Sequence, residues 1–278
     1  MSIAFTKTIR GVAVPTLGIG TWEVEGPTAT ETVADAIAAG YRHVDTAVAY
    51  GNHAEVGEGI RRSGIARDEL WLTTKIWLDS YAPKRLRESA EQALKDLGVD
   101  YLDLLLLHWP AGDDAETEPA LRALQQLRDD SLIRELGVSN FPDYLLRPAL
   151  QIAPEIFADQ VEYHAHLAHE KLTATALELD LMITAYSPLA HGEGLTAESV
   201  VTEVAAKHGV SPAQVCIAWL ARQGNVTVLP RSTNPDRRRE NLAALEVDLT
   251  AGDVAELDEL SRPGKRYINP PFAPRWDD

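Results

Sequence analysis

Short apolar segments alternate with amphipathic segments along most of the chain. The apolar segments begin near Leu17, Arg42, Leu70, Leu102, Arg134, Phe157, Leu181 and Val226. The segments between them carry apolar residues at the spacing of helices that bury one face. Eight strands that alternate with helices predict a parallel sheet, and eight is the number that closes into a (β/α)8 barrel. We therefore expect an α/β fold, a TIM barrel.

Three places depart from a simple repeat of strand and helix. Residues 5–14, around Arg10-Gly11, predict an N-terminal β-hairpin that closes the bottom of the barrel. Two helical segments, near residues 196–208 and 211–222, precede the eighth strand, and two more, near 235–245 and 250–260, follow it. No linker, low-complexity tract or repeat divides the chain, so we expect residues 1–278 to form a single barrel domain.

The charge of the chain argues against several classes of partner. The 42 acidic and 26 basic residues give a formal net charge of -16, which repels nucleic acid and anionic lipid. No segment reaches the length of a membrane span, and the first residues lack the features of a secretion signal. The single cysteine, Cys216, cannot form an internal disulfide. We expect a cytoplasmic monomer that binds neither nucleic acid nor membrane.

Four reactive side chains follow three successive strands. Asp45, Lys75 and His108 come where the second, third and fourth strands end, and Tyr50 follows Asp45 by five residues. Neighbouring parallel strands lie about 5 Å apart, so these side chains can converge on one pocket. An ammonium group beside a phenol stabilises the phenolate and lowers the pKa of the phenol, and Asp45 can hold Lys75 charged. A neutral His108 can donate a hydrogen bond to a carbonyl oxygen that gains negative charge.

Each of these residues also has a purely structural interpretation. Asp45 and Lys75 can form a buried ion pair, Tyr50 can pack in the core, and His108 can cap a strand. For any one residue taken alone, the structural interpretation is the stronger. For all four at the end of a barrel where active sites form, proton chemistry is favoured.

The segments around these four residues resemble the aldo-keto reductase family. The resemblance is carried by GYRHVDTAVAYGN at 40–52, TTKIW at 73–77 and LLHWP at 106–110, which agree with that family in order, spacing and flanking residues. It implies an oxidoreductase that reduces aldehydes and ketones by hydride transfer. It also implies that Tyr50 is the general acid, that Lys75 and Asp45 tune it, and that His108 orients the substrate carbonyl.

Later segments resemble the parts of that family that bind nicotinamide. They are GVSNF at 137–141, QVEYH at 160–164 and AYSPL at 185–189. The likeness assigns Ser139, Asn140 and Gln160 to the carboxamide. It assigns Tyr186 to the nicotinamide ring, and Ser187 and Leu189 to the pyrophosphate. It also places Thr21 and Trp22, at the end of the first strand, beside cofactor and substrate.

The segment after the eighth strand, LPRST at 229–233, resembles the family's site for the adenosine phosphate. The likeness assigns cofactor contacts to Arg231, Ser232, Arg237, Glu240 and Asn241. Two guanidinium groups and a hydroxyl can bind a 2'-phosphate through charge-assisted hydrogen bonds, which favours NADPH over NADH. The family commonly has lysine where Arg231 stands. For Arg238 and Arg239, a solvated helix face is the favoured interpretation.

The substrate wall is predicted from aromatic residues at strand ends. Trp22, Trp77 and Trp109 follow the first, third and fourth strands and should rim the pocket together with His108. The C-terminal segment 272–276 can fold over the mouth, which adds Trp276 and makes Arg275 available to an anionic group. The compact length and tail look most similar to the bacterial subgroup that reduces 2,5-diketo-D-gluconate and methylglyoxal. The implied partner is a small-molecule carbonyl compound.

Two hypotheses from other functional classes compete with carbonyl reduction. An NADPH-binding barrel could serve as a redox-sensing or interaction subunit, although all four reactive residues argue against that role. A metal-dependent barrel hydrolase could use His164, His166 and His169, which span a strand end and a loop without a matched carboxylate pattern. We therefore predict no metal site.

Overall fold

Ten β-strands are present in the residues that the computed structural model describes, which are 3–112, 114–167, 169–192, 194–262 and 265–277. Two form an antiparallel hairpin and eight form a parallel sheet. In chain order they are β1 (Thr6–Ile9), β2 (Val12–Pro15), β3 (Ile19–Gly20), β4 (His43–Asp45), β5 (Trp71–Ile76), β6 (Leu102–Leu107), β7 (Ile133–Ser139), β8 (Ala158–Glu162), β9 (Met182–Tyr186) and β10 (Val226–Leu229). Every parallel strand begins within two residues of its predicted start.

The eight parallel strands close into a barrel. They are hydrogen-bonded in chain order from β3 to β10. The chain before β3 meets β10, where the amide of Gly18 donates to the carbonyl of Val228 and the amide of Val228 donates to the carbonyl of Thr16, both at 2.9 Å. Only glycine fits at position 18 without a shift, since a Cβ there would lie 2.6 Å from Cδ2 of Leu229. The predicted (β/α)8 barrel is confirmed.

Ten α-helices accompany these strands in the described parts of the chain. They are α1 (Gly26–Ala39), α2 (His53–Ser63), α3 (Pro83–Leu97), α4 (Asp114–Asp129), α5 (Asp143–Ile152), α6 (Glu170–Glu178), α7 (Ser199–His208), α8 (Pro212–Ala221), α9 (Pro235–Ala243) and α10 (Ala251–Asp258). As predicted, α7 and α8 precede the last strand, and α9 and α10 follow it. None of the helices described here combines the length and apolarity needed to cross a membrane.

Helix α3 shows how the sequence specifies these elements. Pro83 occupies a first-turn position, where its missing N–H costs no hydrogen bond, and Gly98 ends the helix in the left-handed region at φ 68°. Leu86, Ala90 and Leu94 recur every four residues and are buried on the same face. Each buried leucine contributes about 1.5–3 kcal/mol to folding, so this face fixes the helix against the barrel.

The N-terminal hairpin covers the bottom of the barrel. Ile9 of β1 and Val14 of β2 are buried in one apolar cluster with Trp71, Phe157 and Met182. Those three residues lie where β5, β8 and β9 begin, at the amino-terminal ends of the strands. The predicted hairpin therefore fills one end of the barrel, and the opposite end carries the carboxyl ends of the strands.

Candidate active site

A cavity of about 900 Å³ opens at the carboxyl ends of the barrel strands. Most residues that the sequence assigns to a site line this cavity: Thr21, Trp22, Asp45, Tyr50, Trp77, His108, Trp109, Ser139, Asn140, Gln160, Tyr186, Ser187, Leu189, Arg231 and Arg237. Five assigned residues lie outside the lining: Lys75, Ser232, Glu240, Asn241 and Trp276. The structure thus brings segments from the ends of all eight barrel strands to one place.

A buried ion pair joins β4 to β5 beneath the cavity. Lys75 Nζ donates to Asp45 Oδ1 at 2.5 Å and to the carbonyl oxygen of Thr46 at 2.8 Å. The Lys75 and Asp45 side chains are 1% and 5% exposed. Burial raises the pKa of Asp45 and lowers that of Lys75, and the attraction between the two charges opposes both shifts. The cation and anion therefore depend on each other to stay charged.

Tyr50 lies directly above this pair, at the end of the short 3-10 helix Val48–Tyr50. The Lys75 Nζ atom lies 5.2 Å from the centroid of the Tyr50 ring. Burial raises the pKa of Tyr50 far above that of free tyrosine, and the negative charge of Asp45 raises it further. The sequence predicts that Lys75 lowers this pKa, whereas burial and the charge of Asp45 raise it. The phenol therefore carries its proton, which is the form that can act as an acid.

His108 follows β6 and stands beside Tyr50. The two rings meet edge to face with centroids 5.8 Å apart, and the His108 ring makes a similar contact with Trp77 at 5.0 Å. Burial, together with the charge of Lys75, holds the pKa of His108 well below its usual value. The ring is therefore neutral at physiological pH and retains one N–H donor. This agrees with the neutral histidine predicted from the sequence.

A second polar group lies where β7 ends. Asn140 adopts the left-handed backbone region at φ 64°, which asparagine tolerates better than most residues. Its Nδ2 donates to the carbonyl oxygen of His108 and to Ser139 Oγ, both at 3.0 Å, while its Oδ1 accepts from the Tyr186 hydroxyl at 2.8 Å. Asn140 thereby connects the ends of β6, β7 and β9.

Gln160 connects that group to the ion pair. Its Nε2 donates to Asp45 Oδ2 at 2.7 Å, and its backbone carbonyl oxygen accepts from Ser139 Oγ at 2.8 Å. Gln160, Ser139 and Asn140 are all nearly fully buried while lining the cavity. Gln160, Ser139 and Asn140 together form what we call the amide wall of the cavity. One hydrogen-bonded network therefore runs from Lys75 through Asp45 to the amide wall. The sequence contains these residues but gives no sign of the bonds between them.

Two arginines follow β10: Arg231 comes two residues after the strand, and Arg237 lies in the first turn of α9. Arg231 donates to the carbonyl oxygen of Trp22 and pairs with Glu23 Oε2, both at 3.0 Å, with its guanidinium 5.5 Å from the centroid of the Trp22 ring. Arg237 also lines the cavity, and among the described residues its one hydrogen bond is from its backbone amide to Asn234 Oδ1 at 3.1 Å. Glu23 has no assignment from the sequence, because its contact with Arg231 spans 208 positions.

The interpretation of Arg238 as a solvated residue is wrong. Arg238 is 3% exposed, its Nε donates to Asp35 Oδ2 at 3.0 Å, and its Nη1 donates to the carbonyl oxygen of Ser232 at 3.1 Å. The cause is the packing of α9 against α1, which carries Asp35. Arg239 does have an exposed side chain, as the sequence predicts.

Aromatic side chains form the wall opposite these arginines. The ring of Phe272 meets Trp77 and Trp109 edge to face, with centroids 5.7 and 5.4 Å apart. Trp276 lies 6.4 Å from Trp109 and outside the cavity lining, and Arg266 covers its ring at 3.5 Å. The C-terminal segment folds over the mouth as predicted, but Phe272 is the aromatic residue that it presents to the cavity.

A buried carboxylate holds this C-terminal segment in place. Glu162, at the end of β8, accepts hydrogen bonds from the amides of Tyr267 and Ile268 at 2.9 and 2.8 Å and from His164 Nε2 at 3.0 Å. Burial raises the pKa of Glu162, but these hydrogen bonds outweigh burial and hold the pKa below its ordinary value. Glu162 therefore fixes the part of the tail that lines the cavity.

The three histidines considered as metal ligands have protein partners instead. His164 and His169 bond to Glu162 through its carboxylate and carbonyl oxygen, and His166 Nε2 lies 2.8 Å from Glu198 Oε1. Within the residues that the structure describes, no group of three or more histidine, cysteine or acidic side chains has an arrangement that could hold a metal ion.

Several residues that line the cavity have no assignment from the sequence: Gly20, Ala49, Pro188, His191, Gly192, Thr196, Leu229, Pro230, Ile268, Pro270 and Phe272. Most are small or apolar and lack a chemical signature. His191 is the exception, and its ring meets Trp22 edge to face at 5.4 Å. Aromatic content in the tail was the one available signal, and it points to Phe272 as well as to Trp276.

Comparison with known proteins agrees with this geometry. The model of the aldo/keto reductase family matches residues 16–262. The methylglyoxal reductase DkgB of Escherichia coli O157:H7 is 37% identical over 270 residues, which are 96% of this chain and 100% of that protein. The 9,11-endoperoxide prostaglandin H2 reductase of Trypanosoma cruzi is 39% identical over 258 residues, which are 91% of this chain and 89% of that protein.

Among solved structures, one crystal structure superposes over 100% of this chain and 98% of its own, with a TM-score of 0.95 and 38% identity. Its protein carries the provisional name 2,5-diketo-D-gluconic acid reductase B. The match to the family model and the full-length relatives show that this chain belongs to the aldo/keto reductase family of oxidoreductases.

Proposed function

We propose that this protein is an NADPH-dependent reductase that converts aldehydes and ketones to alcohols, with Tyr50 as the general acid. The candidate substrates are methylglyoxal, keto-sugars and small aromatic or aliphatic aldehydes. The observation that carries the proposal is the convergence of a protonated Tyr50 and a neutral His108 on one wall of the cavity, next to the buried Lys75–Asp45 pair. This set suits the delivery of one proton to a carbonyl oxygen.

Each of these residues has its own role in the reduction. NADPH, when bound, supplies the hydride that adds to the carbonyl carbon. Tyr50 donates its proton to the carbonyl oxygen, and Lys75 stabilises the phenolate that remains, which requires Asp45 to keep Lys75 charged. His108 donates a hydrogen bond to the same oxygen as negative charge develops on it. The aromatic wall excludes water and strengthens these interactions.

The amide wall fits a nicotinamide group. Ser139, Asn140 and Gln160 offer buried donors and acceptors to a carboxamide, and the ring of Tyr186 offers a flat face for stacking. We further propose that the pyrophosphate passes Ser187 and Leu189 and that Thr21 and Trp22 border the nicotinamide. The cavity, about 900 Å³ in volume, has the size of a site for such a ligand.

The arginines after β10 favour a phosphorylated cofactor. Arg237 has a guanidinium that makes no bond within the described chain, and Arg231 has Glu23 as its carboxylate partner. We propose that both bind the 2'-phosphate of NADPH, with Ser232, Glu240 and Asn241 completing the adenosine site. We also propose that the reaction takes place in the cytoplasm, where the single cysteine, Cys216, would remain a free thiol.

Cofactor choice gives a first test. We expect reduction of methylglyoxal with a kcat/KM for NADPH at least about tenfold above that for NADH. Replacing Arg237 with alanine should weaken NADPH binding by about 10- to 100-fold, because a hydrogen bond to a charged group contributes about 1.5–3 kcal/mol. The affinity for NADH should stay within about twofold, since that cofactor lacks the 2'-phosphate.

The matched control is Arg239→Ala on the same helix, whose side chain is 57% exposed and pairs with Asp236. Fluorescence titration of both reduced cofactors against the wild type and the two variants separates the effects. Equal loss of NADPH and NADH affinity in Arg237→Ala would show that Arg237 does not bind the 2'-phosphate.

A further inference from the structure

The guanidinium of Arg231 is paired with an anion of the protein itself. Its Nη1 atom lies 3.0 Å from Glu23 Oε2 and donates to the backbone carbonyl oxygen of Trp22, also at 3.0 Å. The ring of Trp22 lies beside the same guanidinium, with its centroid 5.5 Å away. Arg231 and Trp22 line the cavity, whereas Glu23 lies outside the lining. Glu23 therefore contacts the cavity through Arg231.

The backbone of the turn after β3 specifies the position of Glu23. Glu23 adopts the left-handed region at φ 54°, which residues other than glycine rarely adopt. Within this turn the amide of Val24 donates to the carbonyl oxygen of Thr21 at 3.2 Å. The buried side chain of Asn52 donates to the carbonyl oxygens of Thr21 and Val24, both at 2.9 Å. Unfavourable backbone geometry that is held in this way is typical of functional sites.

The other arginine of the cavity differs from Arg231 in its partners. Among the described residues, the one hydrogen bond of Arg237 runs from its backbone amide to Asn234 Oδ1 at 3.1 Å. Its neighbour Asp236 pairs with Arg239 instead, at 3.0 Å. An anionic ligand can therefore meet the guanidinium of Arg237 directly, whereas at Arg231 it meets a guanidinium that Glu23 already holds.

The pair of Arg231 and Glu23 is weak enough for a ligand to displace it. A carboxylate and a phosphate both accept hydrogen bonds from a guanidinium, so they compete for the same donors. The two side chains are 39% and 55% exposed. Water screens a pair at such a site, and its formation changes an equilibrium by about fivefold at most. Competition of this size shifts the affinity for a ligand without preventing its binding.

We propose that Glu23 competes with the 2'-phosphate of NADPH for Arg231 and thereby limits the preference of the enzyme for NADPH over NADH. This inference rests on the proposed function, in which Arg231 and Arg237 bind that phosphate. NADH carries a hydroxyl group in place of the phosphate, so its binding does not require the pair to open. Glu23 is a positioning residue, because it acts through Arg231.

Glu23→Gln tests this competition, since it removes the charge and keeps the shape of the side chain. We expect the Kd for NADPH to fall about three- to tenfold and the Kd for NADH to change less than about twofold. Fluorescence titration at low ionic strength measures both constants, and the gain for NADPH should shrink at high salt. Unchanged or weaker binding of NADPH, or an equal gain for both cofactors, would overturn the inference.

The matched control is Glu25→Gln. Glu25 is exposed, lies two residues further along the chain and makes no side-chain cap hydrogen bond with α1. Its replacement removes the same charge and should leave both Kd values within about twofold of the wild type. A gain in NADPH affinity as large as that of Glu23→Gln would assign the effect to net charge and contradict a specific role for Glu23.

The double variant Glu23→Gln/Arg231→Ala tests whether Glu23 acts through Arg231. Arg231→Ala alone should weaken NADPH binding about tenfold or more. In that background Glu23→Gln should change the Kd for NADPH less than about twofold, because the competing group has lost its target. A gain that persists in full would show that Glu23 does not act through Arg231. If the wild type binds neither cofactor, the proposed function fails; if it binds NADPH and Glu23→Gln changes nothing, only this inference fails.

Discussion

Replacing Tyr50 with phenylalanine is expected to lower kcat for methylglyoxal by about 10²–10⁴-fold, the usual contribution of a positioned acid. The variant removes one hydroxyl group and keeps the ring that packs against His108 at 5.8 Å. The carbonyl oxygen would then gain negative charge with no acid to neutralise it. Steady-state oxidation of NADPH measures the loss directly.

The Tyr50→Phe variant should bind NADPH normally although its turnover falls. We expect the Kd for NADPH to stay within about twofold of the wild type, because Tyr50 does not contribute to the amide wall or the arginines. Tyr101→Phe is a suitable control, since the Tyr101 hydroxyl makes only a long 3.5 Å contact with the carbonyl oxygen of Arg67 and does not line the cavity. Near-normal turnover in Tyr50→Phe would remove Tyr50 from the mechanism.

The second large effect is expected from Lys75→Met. This change leaves Asp45 buried without its cation, and breaking a buried pair in this way typically costs about 3–5 kcal/mol in the free energy of unfolding. Turnover should fall as well, because the ammonium that stabilises the Tyr50 phenolate is lost. Urea denaturation measures the first effect and NADPH oxidation the second.

The double variant Lys75→Met/Asp45→Asn separates structure from chemistry. Removing the unpaired charge should restore most of the lost stability, since a neutral amide costs far less to bury than a carboxylate. It should not restore turnover, because no ammonium stands beside Tyr50. A double variant as unstable as the single one would show that the buried charge of Asp45 is not the cause.

The barrel and the core of the candidate site follow from local sequence patterns. Apolar runs at regular intervals identify the strands, and strands that are consecutive in the chain are neighbours in the sheet. Asp45 and Lys75 stand at the ends of neighbouring strands, so their pairing at 2.5 Å can be anticipated from the order of the elements. In such a fold, the order of the strands along the sequence is also their order in the sheet.

Contacts outside the repeating pattern could not be predicted in this way. Glu23 meets Arg231, and Glu162 binds the amide of Tyr267 across 105 positions. Neither contact leaves a periodic signal. The tail after α10 has no helix or strand in its described part, so no periodic pattern shows which of its aromatic residues, Phe272 or Trp276, faces the cavity. The burial of Arg238 similarly depends on the packing of α9 against α1, a helix about 200 positions earlier in the chain.

The fate of the hydrogen atoms tests the central claim, that hydride and proton reach the carbonyl by separate routes. Wild-type enzyme would reduce methylglyoxal or benzaldehyde in ordinary water with NADPH that carries deuterium at both hydrogen positions of C4 of the nicotinamide, and NMR would locate the label. We expect one deuterium atom on the new carbinol carbon, with the hydroxyl proton derived from solvent through Tyr50. An alcohol without deuterium at that carbon, or no alcohol at all, would contradict the proposed reduction.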